Sequence, residues 1–437
     1  MARIGIRRED KSRWERRSPL TPTQVQQITG RGIEVKVQSS AVRIFTDSEY
    51  QHAGAAIHES LSDCPLVFGV KEIPPEKIEP GTSYVFFSHT HKGQPSGMPL
   101  LKTLIERKCT LIDYEIICNE KGQRLIFFGR YAGLAGMLDT FWAFGKRLEA
   151  EGRSTPFAFL RRAFEYHSLD EARKDVGRVA REIARNGLPA DMSPFVCGFS
   201  GYGRVSMGAQ EIFDLLPVRE ITPDELNTLA SSVHASSHFV YKTVFHEEHM
   251  YRRRHGAARF SFDEFIASPE LYEPIFEPQL AHLDLLIHGI YWEPRFPKLI
   301  TREALQAAWS HPHKPRLRVI GDITCDIRGS IACTIQPANQ DHPTYIYDPV
   351  SDTAHVDLFD GNGPLVLAVD NLPCELPRDA SDEFGQALTP FIVEMARAHG
   401  PKGLDPTKLP DPIRNAIIVL KGALTPDHQH LAQHLPA

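Results

Sequence analysis

The sequence has no Cys-x-x-Cys pair, and its seven cysteines are scattered between positions 64 and 374. This spacing lacks the paired ligands of zinc and dithiol sites, so it predicts reduced, mostly buried thiols. No stretch approaches the roughly 20 apolar residues that cross a bilayer, which predicts no membrane partner. The first residues, 1–8, carry charge where a secretory signal would have an apolar core. We therefore expect a cytoplasmic protein.

A large excess of basic residues is also missing. The formal net charge is −6, and the one basic cluster, 252–255, is short, so we predict no nucleic-acid partner. Metal binding has little support either. His246 and His249 are three positions apart, whereas the zinc-protease helix requires a spacing of four. We predict no metal site.

Short β-branched and aromatic runs alternate with helical segments through the first 150 residues, which is typical of an α/β sheet. The 437 residues suffice for two or three domains at the usual ~150 residues per domain. A proline just inside the segment 21–30 and a glycine at its end predict a helix there. The predicted strands are 2–7, 33–38, 66–70, 84–88, 110–112 and 125–128.

A second set of elements follows a predicted helix over 136–150, which Gly152 ends. Ser168 and Glu171 form the pattern of a capping box, and the helix that begins there is predicted to end at Gly187. We place the domain boundary near residue 150. The other predicted elements are strands over 194–198, 283–292 and 317–323, a hairpin over 344–358, and amphipathic helices over 381–399 and 412–420.

A glycine-rich segment lies between the strand over 194–198 and a helix predicted over 205–216. Gly201 and Gly203 allow a tight turn and the close approach of a pyrophosphate, whose charge the helix N-terminus then meets. Ser206 stands where the third glycine of this fingerprint usually lies. The strand–turn–helix context predicts a dinucleotide site, with a plain tight turn as the alternative.

The choice between the two nicotinamide dinucleotides depends on the residue about 20 positions after the glycines, where an acid would bind the ribose 2′-hydroxyl. Arg219 and Glu220 both occupy that neighbourhood. Because an arginine favours a 2′-phosphate, the sequence slightly favours NADP(H) over NAD(H).

Ionisable residues follow three of the predicted strands. They are Lys71 and Glu72, then His89, His91 and Lys92, and finally Asp113 and Glu115. Open α/β sheets bind ligands at the carboxyl ends of their strands, so this repetition predicts an active site. A lysine beside a histidine and carboxylates is a workable acid–base set, because burial and charge lower a lysine pKa toward the working pH. Arginines, here Arg17 and Arg124, are natural clamps for substrate carboxylates.

Several segments together resemble one family. They include Glu15-Arg-Arg-Ser-Pro-Leu-Thr-Pro22, Phe87-Ser-His-Thr-His-Lys92, Phe128-Gly-Arg-Tyr-Ala-Gly133, Gly201-Tyr-Gly-Arg-Val-Ser206, His288-Gly-Ile-Tyr-Trp292 and Gly321-Asp-Ile-Thr-Cys-Asp326. This combination, which extends over nearly the whole chain, resembles the lysine-ketoglutarate reductase family. That family includes the reductase half of bifunctional aminoadipic semialdehyde synthase and the lysine-forming saccharopine dehydrogenases.

The resemblance implies an alanine dehydrogenase-like fold of two Rossmann-like domains with a cleft between them. Residues 1–150, completed by 366–437, would form the substrate-binding catalytic domain, and 151–365 the dinucleotide-binding domain. Lys71 and His89 would be the acid–base pair, with Glu115 tuning the lysine. The implied substrate ligands are Arg17, Lys92, Arg124 and, at the cleft, Asp322. The implied cofactor contacts are Gly201, Gly203, Arg204, Val205, Ser206, Arg219 and Ile290.

The reaction implied by the resemblance is condensation of L-lysine with 2-oxoglutarate and reduction of the imine to saccharopine by NAD(P)H, or the reverse. Since no saccharopine-oxidising half follows, a monofunctional enzyme is expected. Two alternatives stay open: a related amino-acid or opine-type dehydrogenase that acts on another amine, and a catalytically idle binding or regulatory module. The sequence predicts neither the oligomeric state nor the physiological direction.

Overall fold

The structure is a computed structural model that describes residues 2–229, 235–255, 259–400 and 403–436. The strands in these ranges are β1 (Arg3–Ile6), β2 (Glu34–Gln38), β3 (Ala56–His58), β4 (Leu66–Phe68), β5 (Ser83–Phe86), β6 (Thr110–Asp113), β7 (Phe195–Ser200), β8 (Val218–Glu220), β9 (Val240–Phe245), β10 (Tyr251–Arg253), β11 (Tyr272–Pro274), β12 (Leu285–His288), β13 (Val319–Asp322), β14 (Thr344–Asp348), β15 (Thr353–Val356), β16 (Leu365–Leu367), β17 (His399–Gly400), β18 (Gly403–Leu404), β19 (Ile417–Leu420) and β20 (Ala423–Leu424). The α-helices are α1 (Pro22–Thr29), α2 (Asp47–His52), α3 (Met98–Glu106), α4 (Gly129–Ala150), α5 (Leu169–Asn186), α6 (Arg204–Phe213), α7 (Pro223–Leu229), α8 (Glu247–Met250), α9 (Phe262–Ala267), α10 (Arg302–Ser310), α11 (Pro377–Ala398) and α12 (Asp411–Arg414).

The chain divides into two compact units. The first unit comprises Met1–Phe128 and Pro377–Ala437, and the second comprises Gly129–Leu376. The chain therefore leaves the first unit and returns to it at the end, in a discontinuous arrangement. The observed divisions differ from the boundaries expected near 150 and 366, because the whole of helix α4 packs within the second unit, against α6.

The first unit contains an eight-stranded sheet with the order β20-β19-β6-β5-β4-β1-β2-β3. Strands β1 to β6 are parallel, and β19 joins the edge antiparallel to β6. Strands β4, β5 and β6 are buried along their whole length, as expected for parallel strands covered on both faces. In chain order, the six parallel strands run 3-2-1-4-5-6, the arrangement of a dinucleotide-binding fold.

Two predicted elements of the first unit are wrong. Residues 125–128 are described and form no strand, while Arg124 just before them makes an isolated bridge to Cys118. The segment predicted as a helix over 412–420 contains only the short helix α12 and then strand β19. Its residues Ile417 to Leu420 are largely β-branched, and they find a partner in β6.

Helix α11 completes the core of the first unit. The ring of Phe384 stacks on Phe128, with centroids 4.5 Å apart, and meets Tyr114 edge-on at 5.0 Å. The buried Gln24 of α1 donates a 2.9 Å hydrogen bond to Asp382 of α11. Helix α11 is therefore a structural part of this unit.

The second unit contains an eight-stranded sheet with the order β15-β14-β16-β13-β12-β7-β9-β8. Its six parallel strands are β7, β8, β9, β12, β13 and β16. Strands β14 and β15 form the predicted hairpin, antiparallel to each other and to β16. In chain order, the parallel strands run 2-3-1-4-5-6, so the second and third strands have exchanged places relative to the first unit.

Helices α4 and α6 of the second unit approach each other through glycines. A Cβ atom on Gly133 would lie 1.9 Å from the carbonyl oxygen of Val205, and one on Gly208 would lie 2.2 Å from that of Arg130. Such distances are far inside van der Waals contact. The close packing therefore requires glycine and holds the start of α6 in place.

All seven cysteines are free, and five of them are buried, which confirms the prediction of reduced, mostly buried thiols.

Helix α5 begins with Ser168 Oγ accepting from the Glu171 amide at 3.3 Å, and it ends at Gly187 with φ 73°, as predicted. None of the described helices combines the length and apolar composition that crossing a bilayer requires.

Candidate active site

Four parallel neighbours in the first unit, β6, β5, β4 and β1, have their carboxyl ends at one edge of the sheet. Each is followed by ionisable residues. Glu9 follows β1, Lys71 and Glu72 follow β4, His89 and His91 follow β5, and Glu115 follows β6. The structure therefore places these ionisable residues along one edge of the sheet, and we call them the strand-end group.

The main chain at Lys71 is held by a buried carboxylate. Glu9 accepts a 2.8 Å hydrogen bond from the amide of Val70 and a 2.9 Å bond from the amide of Lys71. Burial raises the pKa of Glu9 to about 7. Sequence reasoning missed Glu9, because nothing in a single carboxylate after a strand shows which backbone it will bind.

The side chain of Lys71 is half-buried. Burial lowers its pKa, and the positive charges of Arg17 and Lys11 lower it further, against the opposing effect of Glu15 and Glu72. This shift increases the neutral fraction of the amine near neutral pH, which is what a general base requires.

His89 has a left-handed backbone, with φ 52°, an uncommon conformation for a residue other than glycine. Its Nδ1 lies 2.6 Å from Oε1 of Glu72, and Glu72 also accepts from Lys11 at 3.2 Å. Burial opposes ionisation of Glu72, but the hydrogen bond and charge of His89 prevail and lower its pKa to about 2. An ionised Glu72 thus orients the ring and leaves Nε2 as the atom for a substrate. Glu72 follows β4 together with Lys71, as the sequence indicated, whereas the resemblance implied Glu115 as the catalytic carboxylate.

Glu115 makes contacts other than the predicted one with Lys71. Its Oε1 lies 2.7 Å from Arg124, and its Oε2 lies 3.3 Å from Nδ1 of His91. The carboxylates that act on Lys71 are instead Glu15 and Glu72. Lys92 is exposed beside His91, whose pKa is lowered by burial and by that neighbouring charge.

Arg17 is buried and paired within the first unit. Its guanidinium donates to both carboxylate oxygens of Glu15, at 2.7 Å and 2.6 Å, and lies 4.2 Å from the centre of the Phe128 ring. Arg17 uses one edge of its guanidinium for the bidentate pair with Glu15. Its positive charge also lowers the pKa of Lys71.

The glycine loop of the second unit joins β7 to α6. Gly201 has φ 88°, and a Cβ atom there would lie 2.6 Å from Ile290. A Cβ atom on Gly203 would meet no described protein atom within 4 Å. It would point into open space at the N-terminus of α6, which begins with Arg204, Val205 and Ser206. This space and the helix N-terminus fit a pyrophosphate.

A cavity of about 330 Å³ adjoins this loop. Its lining is mostly apolar and aromatic, and includes Gly201, Gly203, Glu247, Tyr251, Ile290, Tyr291, Trp292 and Phe296. The predicted cofactor residues of the loop and Ile290 therefore lie together at one cavity.

Arg219, the other predicted cofactor residue, lies on a strand that does not neighbour the glycine loop. It lies on β8, the outermost parallel strand, and β9 separates β8 from β7. Its guanidinium is 3.7 Å from the centre of the Phe239 ring. The expectation that Arg219 selects the cofactor assumed that the second strand in the chain neighbours the first, and the observed strand order departs from that assumption.

Asp322, predicted to bind substrate, ends β13 in the second unit and is fully buried. Its carboxylate accepts from the Thr324 amide at 3.1 Å and from the Thr334 hydroxyl at 2.5 Å. In the segment after β9, the main-chain amide of His246 donates to Nδ1 of His249 at 3.0 Å. Among the described residues, no cluster of His, Cys, Asp or Glu could hold a metal ion.

Comparisons with known proteins agree with this architecture. Residues 5–135 match the family model of the alanine dehydrogenase/PNT N-terminal domain. An L-alanine dehydrogenase structure, 20% identical, superposes with a TM-score of 0.62 over 99% of this chain and 100% of that chain. At that identity, the match shows the two-domain fold.

Two curated relatives cover most of this chain. The alpha-aminoadipic semialdehyde synthase of Arabidopsis thaliana is 36% identical over an alignment of 446 positions, which covers 98% of this chain and 41% of the relative. The NAD(+), L-lysine-forming saccharopine dehydrogenase of Candida glabrata is 26% identical over 88% of this chain and 90% of the relative. The chain spans less than half the length of the semialdehyde synthases it matches. Over nearly its whole length, this chain is homologous to a region of the alpha-aminoadipic semialdehyde synthases, and at lower identity it is similar to the lysine-forming saccharopine dehydrogenases.

Proposed function

We propose that this protein is an oxidoreductase of the lysine-ketoglutarate reductase type, which condenses L-lysine with 2-oxoglutarate and reduces the imine to saccharopine, or runs the reverse reaction. The observation that carries the proposal is the strand-end group: a half-buried Lys71 of lowered pKa follows β4, and His89, which Glu72 orients at 2.6 Å, follows the neighbouring strand β5. Relatives named for saccharopine and aminoadipic semialdehyde chemistry support the choice of substrate.

The proposed roles follow from the contacts. Imine formation requires a neutral amine and the loss of water from a carbinolamine, so one group must accept a proton and another must donate one. Lys71, with its lowered pKa, accepts the proton of the substrate amine. His89 donates through Nε2 to the departing oxygen, while Glu72 holds Nδ1.

The substrates bring several carboxylates, and cations near the strand-end group would bind them. Arg124 is 46% exposed although it pairs with Glu115, and Lys92 is exposed. We propose these two as carboxylate ligands. The guanidinium of Arg17 is paired with both carboxylate oxygens of Glu15. We therefore propose that Arg17 acts by lowering the pKa of Lys71. A substrate contact for Asp322 stays a prediction.

The dinucleotide is proposed to bind at the glycine loop of the second unit, with Gly203 and the first residues of α6 at its pyrophosphate. When bound, a reduced nicotinamide would supply the hydride for the imine. The sequence-based preference for NADP(H) depends on Arg219, which lies on the outermost parallel strand.

The test is a coupled-substrate assay. Oxidation of NADH and of NADPH is followed by loss of nicotinamide absorbance with L-lysine and 2-oxoglutarate, and each component is omitted in turn. Oxidation that requires both substrates, with saccharopine identified by mass spectrometry, is the expected result. Oxidation with another amine but not with lysine would contradict the lysine assignment. No oxidation with any amine would contradict the enzyme proposal itself.

A further inference from the structure

The exchange of strands in the second unit changes which residues lie beside the glycine loop. β9 pairs in parallel with β7, so that Ser200 faces Phe245, and the Gly201 amide donates a 3.0 Å hydrogen bond to the Phe245 carbonyl. The first glycine of the loop is thus tied to the end of β9. β8, which carries Arg219, is two strand spacings from β7, or about 9–10 Å.

Two residues after this hydrogen bond, Glu247 lines the same cavity as Gly201 and Gly203. The ring of Tyr202 stacks on His246 with centroids 4.3 Å apart. Burial raises the pKa of Tyr202, and the neighbouring Glu247 carboxylate raises it further. These contacts bring the glycine loop and the segment after β9 together on one wall of the cavity.

A dinucleotide whose pyrophosphate lies at the N-terminus of α6 has its adenosine ribose beside the strand next to β7. In this sheet that strand is β9. We infer that Glu247 is the residue that determines cofactor specificity and that it selects NAD(H) over NADP(H). This inference rests on the proposed function for the presence of a nicotinamide dinucleotide, but it concerns a different unit from the acid–base residues.

The selectivity follows from charge. A carboxylate accepts a hydrogen bond from a ribose 2′-hydroxyl, which is a charge-assisted and therefore strong contact. A 2′-phosphate has no proton to donate at neutral pH and carries a charge of about −1.5 to −2, so the same carboxylate repels it. The next residue, Glu248, is exposed and does not line the cavity, but it adds negative charge on the same side.

The experiment measures dinucleotide binding alone, without lysine or 2-oxoglutarate, by quenching of protein fluorescence. Trp292 lines the cavity and reports occupancy. NADH should bind about 10-fold to 100-fold more tightly than NADPH. Glu247→Gln should reduce this ratio to near unity, and Glu247→Arg should reverse it. Glu248→Gln, the matched carboxylate-to-amide control, should keep most of the preference.

Several outcomes would overturn the inference: tighter binding of NADPH to the unchanged protein, an unaltered ratio in both Glu247 variants, or a selective loss of NADPH binding in Arg219→Ala. Failure of the proposed function gives a different result. A clear NADH preference without any saccharopine formation would sink the reaction assignment and leave the role of Glu247 supported. Melting temperatures of each variant show whether a binding change reflects misfolding.

Discussion

The two units have six parallel strands each, yet different residues follow those strands. In the first unit, the strand ends carry carboxylates, a lysine and histidines that contact one another. In the second unit, the first strand leads into glycines and an apolar cavity. The sheet fixes only where a site can form. The residues after each strand decide whether that edge moves protons or holds a cofactor.

The strand orders make the same point for specificity. The first unit runs 3-2-1-4-5-6, and the second runs 2-3-1-4-5-6. The rule that places the cofactor-selecting residue about 20 positions after the glycines requires the second strand in the chain to neighbour the first. Only the first arrangement meets that requirement. In the second, the neighbour of β7 is the third strand in the chain, and Glu247 replaces Arg219 beside the loop.

The largest effect should come from removing the proposed acid–base residues of the first unit while the proposed dinucleotide site of the second unit is left intact. Lys71→Met and, separately, His89→Asn should lower turnover by about 100-fold or more, because a positioned acid or base contributes roughly 10²–10⁴ in rate. Steady-state rates and dinucleotide binding are both measured. Binding should be unchanged, since the glycine loop lies in the other unit. A parallel loss of binding and turnover would break the proposed division of roles.

The next effect concerns the core of the first unit. Phe384→Ala removes a ring stacked on Phe128 at 4.5 Å and should lower the free energy of unfolding by about 3–5 kcal/mol. Urea denaturation provides the measurement, and hydrogen exchange localises the loss to strands of the first unit. Phe159→Ala is the control, because that side chain is 73% exposed and its removal should cost less than about 0.5 kcal/mol.

In the second unit, the corresponding test is steric. Gly133→Ala places a Cβ atom 1.9 Å from the Val205 carbonyl and should destabilise the protein by about 3 kcal/mol. It should also weaken dinucleotide binding, because α6 must move. Gly177→Ala on α5 is the matched control: its nearest neighbour is the end of the Arg181 side chain at 3.7 Å, so the substitution should stabilise by about 0.5–1 kcal/mol. Equal effects would contradict the packing argument.

The smallest effect is a pH dependence from Glu9. Its pKa is about 7 in the fold against 4.5 ordinarily, so between these pH values the folded state holds a proton that the unfolded chain has lost. The free energy of unfolding should therefore fall as pH rises through this window, by at most about 3 kcal/mol from this group. Glu9→Gln should remove that component. Identical pH profiles of urea denaturation for variant and parent would refute it.

Local signals in the sequence were sufficient for much of the fold. The apolar runs of β4, β5 and β6, the Ser168 cap and Gly187 at the end of α5 are each encoded by neighbouring residues. The prediction over 125–128 was wrong because an apolar run also suits a buried loop: Ile126 is fully buried and Phe128 stacks on Phe384. Periodicity alone does not distinguish these cases.

Long-range partners account for the rest. β19 is a strand because β6, some 300 residues earlier, offers it an edge, and no local pattern contains that information. In the site, strand ends identified Lys71, His89 and Glu115. The contacts around them, of Glu9 with the Lys71 amide and of Glu72 with His89, depend on side-chain geometry. The position of Glu247 beside the glycine loop depends on the strand order, which the sequence pattern does not specify.

Because the first unit is made from both ends of the chain, its synthesis and its assembly are separated in time. A growing polypeptide that has just reached residue 376 contains the whole second unit but lacks α11, and with it the ring that packs on Phe128 and Tyr114. Since domains fold as units during translation, β1 to β6 must wait with an incomplete core. Premature termination at that point would therefore leave a complete second unit and an incomplete first unit.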